Sequence, residues 1–122
     1  MEGVAAGLAG GSPTYRKMAV EAVKYAYESA GDSVDIIGLG GVGSDEGCQN
    51  LRLILAGASA TAMVTGIRSG GLSSFKNVHE QTAGLISEAV ERGDFEYEDG
   101  NLASIVGIDT KRGRKSDFAE AA

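Results

Sequence analysis

The sequence predicts an α/β protein: a partial (β/α)8 TIM barrel made of the last two or three β/α units, with parallel strands flanked by helices. Residues 35–42 and 57–66 each have the pattern of a short buried strand that ends in a glycine- or hydroxyl-bearing loop before a helix. The two loops lie about 25 residues apart, the repeat of one unit in barrels of about 250 residues. Helix and strand also alternate along the chain, as in a parallel sheet.

The first helix is predicted to begin at Ser12 or Pro13 and to end at Gly31. Serine caps helix N-termini, and proline fits the first turn because its missing N–H would be unpaired there. Glycine favours the C-terminal stop. Apolar residues recur at three- and four-residue steps and define one face of this helix: Val20, Val23 and Tyr27.

Two strands and a second helix follow. The first strand is predicted over residues 34–39, continuously apolar as in a strand covered on both faces, and the second over 60–64. The helix between them is predicted to begin at Ser44 or Asp45 and to end at Gly57. One side of this helix carries Cys48, Leu51, Ile54 and Leu55.

A loop at 68–71 is predicted to precede a third helix, capped by Ser73 or Ser74 and ended by Gly93. Its predicted buried stripe consists of Phe75, Val78, Thr82, Leu85, Ile86 and Ala89. The chain then changes character, so we predict a barrel fragment over 1–93 and a separate segment over 94–122. That segment begins with an acidic run, continues as a short strand or packed arm at 102–108, and ends in a flexible basic tail.

Composition restricts the classes of function. The net charge of −6 weighs against nucleic-acid binding, because phosphate contacts need a basic face, and the basic run at 111–115 has the character of a solvated tail. A single cysteine excludes an internal disulfide and fits a reducing, cytoplasmic setting. No apolar run approaches the roughly 18 residues of a membrane span, and the first residues do not have the pattern of a secretory signal.

Two parallel strands alone are not a stable sheet, because both edges need pairing and both faces need cover. We therefore expect the sheet to be completed by the remainder of a barrel or by self-association as a homo-oligomer. Glycine-rich loops at adjacent strand ends also predict a ligand that bears phosphate, since such loops let backbone N–H groups approach phosphate oxygens.

Three motifs resemble the C-terminal part of the flavin-dependent dihydroorotate dehydrogenases, which are FMN-binding barrels, over about residues 7–90. The run Gly-Leu-Ala-Gly at 7–10 is similar to the glycine loop after the sixth strand of that family. Residues 36–42, Ile-Ile-Gly-Leu-Gly-Gly-Val, are similar to its seventh strand. Residues 56–60, Ala-Gly-Ala-Ser-Ala, followed by Thr65, are similar to its eighth strand and Gly-Thr ending.

The resemblance implies oxidation of dihydroorotate to orotate, a step of pyrimidine biosynthesis, with FMN as cofactor. It implies that Gly10, Gly40, Gly41 and Thr65 surround the FMN phosphate and ribityl chain. Val64 is the matched position where the family usually has glycine. A chain that carries only this portion is expected to be inactive without the rest of the barrel.

The catalytic residues of the family have no match in this sequence. The family takes the substrate proton with a cysteine or serine on a loop in the middle of the barrel, and holds orotate with residues of earlier strands. Cys48 falls on a helix and is predicted to be a small buried hydrophobe, and His79 a surface residue. The acidic residues after Glu88 have no metal-ligand spacing. Two alternatives stay open: a non-catalytic, self-associating barrel fragment, and the phosphate site of another TIM-barrel enzyme.

Overall fold

A computed structural model of the protein describes residues 13–43, 46–63, 65–98 and 100–111. The predictions for the glycine loop at 7–10, for Ser12, for Ser44 and Asp45, for Val64 and for the basic tail beyond Lys111 lie outside the described residues.

Two short strands alternate with helices in the described residues. In chain order the elements are helix α1 (Pro13–Ala30), a 3-10 helix (Gly31–Ser33), strand β1 (Ile37–Leu39), helix α2 (Gly47–Ala56), strand β2 (Ala60–Ala62), helix α3 (Thr65–Gly70), helix α4 (Ser73–Glu91), a second 3-10 helix (Leu102–Ser104) and helix α5 (Ile108–Lys111). The predicted α/β character is confirmed, and both strands are shorter than predicted.

The strands form a two-stranded parallel sheet in which Ile37 lies opposite Ala60 and Leu39 opposite Ala62. Gly38 faces the helices, where a Cβ in its place would lie 3.2 Å from the Cβ of Leu53. The opposite face is open, because Ile37 is 69% exposed and Leu39 is 48% exposed. The prediction that the first strand is covered on both faces is therefore wrong: the helices all pack on one side.

Helix α2 is the centre of the molecule and contacts α1, α4, α5 and both strands. One apolar cluster lies between α1, α2 and the sheet: Val20, Val23, Val42, Leu53, Ala56, Ala58 and Val78. A second lies between α2, α4 and the C-terminal residues: Leu51, Ile54, Leu55, Ile86, Ala89, Phe95 and Ile105. Helix α2 contributes to both clusters, so it is buried on almost all sides. The single apolar side predicted from the sequence is only half of the surface through which α2 contacts other elements.

The residues after α4 form a packed arm, which we call the C-terminal arm (94–98 and 100–111). Within residues 102–108, for which a short strand or a packed arm was predicted, the structure has a 3-10 turn at Leu102–Ser104. The arm completes the end of α2: the Gly107 N–H donates to the Ile54 carbonyl at 2.9 Å, and the Thr110 hydroxyl donates to the Ala56 carbonyl at 2.6 Å. These bonds satisfy carbonyls that a helix end leaves without an internal partner.

Three further predictions, for the third loop and the helix after it, are corrected. Arg68 and Gly70 do not lie in a loop but in the short helix α3, and α4 follows after a single turn. Leu72, not a serine, precedes α4, and no side chain caps that helix end. Phe75 is 53% exposed and does not belong to the buried stripe, which consists of Val78, Thr82, Ile86 and Ala89 with Leu85 at its margin.

Candidate functional site

The ends of the two strands bring the predicted site residues together at the carboxyl-terminal edge of the sheet. Gly40 and Gly41 directly follow β1, Met63 directly follows β2, and Thr65 is the first residue of α3. Because the strands are parallel and in register, both loops leave from the same edge. The loops also touch, since a Cβ on Gly66 would lie 2.6 Å from the Gly43 Cα. Two of the three predicted turns are thus neighbours, and the third, at Gly10, lies outside the described residues.

The Gly40–Gly41 turn requires glycine for two reasons. Both residues have positive φ angles, 129° and 76°, which side chains other than glycine rarely adopt. Helix α1 also lies close to the turn: a Cβ on Gly41 would come within 2.0 Å of the Arg16 Cγ, and one on Gly40 within 2.8 Å of the Ala19 Cβ. The first turns of α1 are therefore built directly against this loop.

Gln49 orients the turn from the interior. Its side chain is only 2% exposed, and its amide nitrogen donates to the carbonyls of Gly40 and Arg16, each at 3.0 Å. The Gly40–Gly41 peptide is trans, as are the other described peptide bonds, so its C=O and N–H point in opposite directions. Because the carbonyl points at Gln49, the Gly41 N–H points away from Gln49. One buried amide thus sets the direction of a possible anion-binding N–H.

A charged pair lies at the rim of the same turn. The Arg16 guanidinium and the Glu46 carboxylate are 2.7 Å apart, and their side chains are 24% and 36% exposed. Glu46 precedes the first residue of α2, and its backbone N–H donates to the Gly43 carbonyl at 3.0 Å. The pair joins the start of α1 to the loop that follows β1.

A hydrogen-bonded network holds β2 against the helices. The Thr61 hydroxyl donates to the Asn50 side-chain oxygen at 2.5 Å, and the Asn50 amide donates to the Thr82 hydroxyl at 2.8 Å. Thr82 in turn donates to the Val78 carbonyl at 2.7 Å. This chain of hydrogen bonds connects β2, α2 and α4, and so holds β2 in position against the two helices.

Arg16, Glu46 and Gln49 were not singled out from the sequence, although two of them carry a signal. Arg16 lies four residues before Val20, on the buried face that Val20, Val23 and Tyr27 define. Gln49 lies four residues before Leu53, on the face that α2 presents to α1. When a polar residue lies one helical turn before a buried apolar stripe, and the helix lies next to a glycine loop, that residue is expected to contact the loop.

Cys48 and His79 lie where the sequence predicted, with one difference. His79 is exposed on α4. Cys48 is half-buried rather than fully buried, and burial raises the pKa of its thiol, opposed by the nearby charge of Arg52. The thiol therefore stays protonated at neutral pH and is a poor nucleophile.

The described residues contain no group of three or more His, Cys, Asp and Glu side chains that could hold a metal ion. Over the same part of the chain, no helix is both long enough and apolar enough to cross a membrane.

Comparison with known proteins gives one match. The family model described as dihydroorotate dehydrogenase matches residues 2–86, which include α1, both strands and most of α4. Neither the curated proteins nor the solved structures gave a match. The match spans more than half of the 122 residues and contains the Gly40–Gly41 turn and the start of α3. The chain therefore belongs to the dihydroorotate dehydrogenase family.

Proposed function

We propose that this chain supplies the FMN-phosphate-binding portion of a dihydroorotate dehydrogenase-like enzyme, which oxidises dihydroorotate to orotate. The observation that supports the proposal is that the Gly40–Gly41 turn and the start of α3 follow neighbouring parallel strands at one edge of the sheet, where Gly43 and Gly66 come into contact. In (β/α)8 barrels, the loops after the last two strands commonly form a phosphate site. On this proposal, β1 and β2 are the seventh and eighth strands of such a barrel.

The residues at this edge fit a phosphate group. Peptide N–H groups in positive-φ turns bind phosphate oxygens, and the Gly41 N–H points away from the buried Gln49 amide. Thr65 and Val64 are the family-matched positions on the second loop, and Gly10 is the matched position on the third. FMN, when bound, supplies the electron acceptor for the substrate hydride. The part of this chain is to hold and orient the cofactor.

Neither Cys48 nor His79 fits the role of the catalytic base. Cys48 has a raised thiol pKa and lies on α2, and His79 is exposed on α4. We therefore expect the chain by itself to lack dehydrogenase activity even when FMN is supplied. Activity is expected only with the segments that carry the base and the substrate contacts.

A titration with FMN and riboflavin tests the site, because the two flavins differ only in the phosphate. We expect the chain to bind FMN about tenfold more tightly than riboflavin or better, since hydrogen bonds to a charged group contribute about 1.5–3 kcal/mol. Replacing Gly41 by alanine is expected to remove this preference, because the new Cβ would displace Arg16 and strain the turn. Equilibrium dialysis or flavin fluorescence gives both affinities.

Gly71→Ala is the matched control, since Gly71 has nearly the same φ, 71°, but no atom within 4 Å of a Cβ in its place. Circular dichroism establishes that each variant is folded. Equal binding of FMN and riboflavin by the unaltered chain would contradict the proposal. A phosphate preference that survives Gly41→Ala would contradict the assignment of this turn.

A second candidate function, a non-catalytic self-associating fragment, is favoured by the open face of the sheet. Ile37 and Leu39 are exposed on that face, and within the described residues each strand has only one neighbour. Exposed strand edges and apolar patches are sites of pairing with another chain. In the full enzyme, the same surface would contact the remainder of the barrel.

Light scattering coupled to gel filtration tests this candidate. We expect the chain alone to be a dimer or larger, and Ile37→Lys to shift it towards monomer because the charge would be buried in the contact. Tyr25→Lys is the control, since Tyr25 is equally exposed but lies on α1 rather than on the sheet. A folded, strictly monomeric chain would contradict self-association through the sheet.

A further inference from the structure

The Arg16–Glu46 ion pair lies where an anion bound at the Gly40–Gly41 turn would meet it. The stem of Arg16 packs over Gly41, whose Cβ position would be 2.0 Å from the Arg16 Cγ and 2.6 Å from its Cδ. The guanidinium then reaches Glu46 at 2.7 Å. Glu46 in turn lies beside Gly43, which contacts Gly66 in the first turn of α3. The pair therefore borders both loops of the proposed phosphate site.

The two charges have opposite effects on an anion at this edge. The Glu46 carboxylate repels a phosphate, and a chain with a net charge of −6 offers little compensation. Arginine, by contrast, offers a planar fork of donors that matches phosphate oxygens in a bidentate contact. Both side chains are partly exposed, and ion pairs of that kind contribute little to stability, so their separation costs little.

The backbone under Arg16 is fixed while its side chain is not. Gln49 holds the Arg16 carbonyl and the Gly40 carbonyl with the same amide nitrogen, so the start of α1 and the turn form one rigid unit. An exchange of Glu46 for a ligand at the turn would therefore involve the outer part of the Arg16 side chain, beyond the carbons that pack on Gly41.

We propose that the phosphate of the ligand takes Arg16 from Glu46, so that Arg16 recognises the phosphate and Glu46 is the counter-ion that competes with it. The inference rests on the proposed function, since it concerns the same site. The ligand group that this chain selects is then a phosphate monoester dianion. The affinity for that group depends on the balance between attraction by Arg16 and competition by Glu46.

Four variants test the exchange through the ratio of FMN affinity to riboflavin affinity. Arg16→Met keeps the stem that packs on Gly41 and removes the charge, and we expect it to lower the ratio about tenfold. Arg16→Lys is expected to give a ratio between those of Arg16→Met and the unaltered chain, because lysine supplies a positive charge but lacks the planar fork of donors. Glu46→Gln is expected to raise the ratio about threefold by removing the competitor. Glu80→Gln removes an equal charge from the exposed Lys76–Glu80 pair on α4 and is expected to leave the ratio unchanged.

The outcomes separate the two proposals. Opposite shifts for Arg16→Met and Glu46→Gln, with riboflavin affinity constant in both, support the exchange. If the unaltered chain prefers FMN but Arg16→Met keeps the full preference, or both variants shift the ratio in one direction, the exchange is overturned and the phosphate site stands. If the unaltered chain does not distinguish FMN from riboflavin, the phosphate site itself is overturned. Melting temperatures of all four variants establish that a change of ratio does not come from loss of fold.

Discussion

Replacing Leu53 by alanine is expected to lower the free energy of unfolding by about 2–5 kcal/mol, the usual cost of truncating a fully buried leucine. Leu53 is 0% exposed, lies on the central helix α2, and fills the space above Gly38 of the sheet. Small domains have total stabilities of about 5–15 kcal/mol, so the variant would lose a large fraction of its folded population. Urea denaturation followed by circular dichroism measures the change.

Leu72→Ala is the control, because Leu72 is 77% exposed and its truncation is expected to change stability by less than about 0.5 kcal/mol. If Leu53→Ala unfolds at the same urea concentration as the unaltered chain, Leu53 is not buried between α2 and the sheet, and the described core is wrong.

Replacing Gly107 by alanine is expected to detach the C-terminal arm. Gly107 has a φ of 72°, where alanine costs about 1–2 kcal/mol, and its Cβ would lie 2.5 Å from the ring carbon Cζ of Tyr27. Overpacking against a buried ring adds about 1–3 kcal/mol. The loss is measured by urea denaturation, and detachment by faster hydrogen exchange of the Gly107 amide, which bonds to Ile54.

Gly93→Ala separates the two contributions. Gly93 has a φ of 79° but nothing within 4 Å of a Cβ, so it carries only the conformational cost. The Gly107 variant should therefore be less stable than the Gly93 variant by the overpacking contribution alone. Equal losses would show that Tyr27 does not pack against the arm as described.

The sequence predicted those elements whose signal is local. Helices α1, α2 and α4 follow from apolar residues at helical spacing and from glycines at their ends, such as Gly31 and Gly57. Helix α3 was missed because its residues, Thr-Gly-Ile-Arg-Ser-Gly, have low helix propensity and two glycines, which are typical of a loop. The exposure of Phe75 could not be predicted from the sequence either. The apolar periodicity of α4 indicates which side of the helix is buried, but not at which turn its contact with α2 begins.

The site was predicted in part for the same reason. Two neighbouring parallel strands were enough to predict that Gly40, Gly41 and the start of α3 lie at the same edge of the sheet, because parallel strands end at the same edge. The contacts of Gln49 and Arg16 with that turn depend on how α1 and α2 cross, and this is a tertiary property. Pattern alone assigned Gln49 no role, whereas its two hydrogen bonds make it the side chain that orients the turn.

The C-terminal arm also determines how much polypeptide an experimenter needs. The family match stops at residue 86, inside α4, yet Phe95 and Ile105 are embedded in the same apolar cluster as Leu51 and Leu55. A polypeptide trimmed to the matched region would expose one flank of α2 to water and remove the hydrogen bonds that Gly107 and Thr110 donate to the Ile54 and Ala56 carbonyls. The region that matches the family is thus shorter than the region that unfolds as one cooperative unit. Flavin-binding measurements therefore need a polypeptide that extends at least through Lys111.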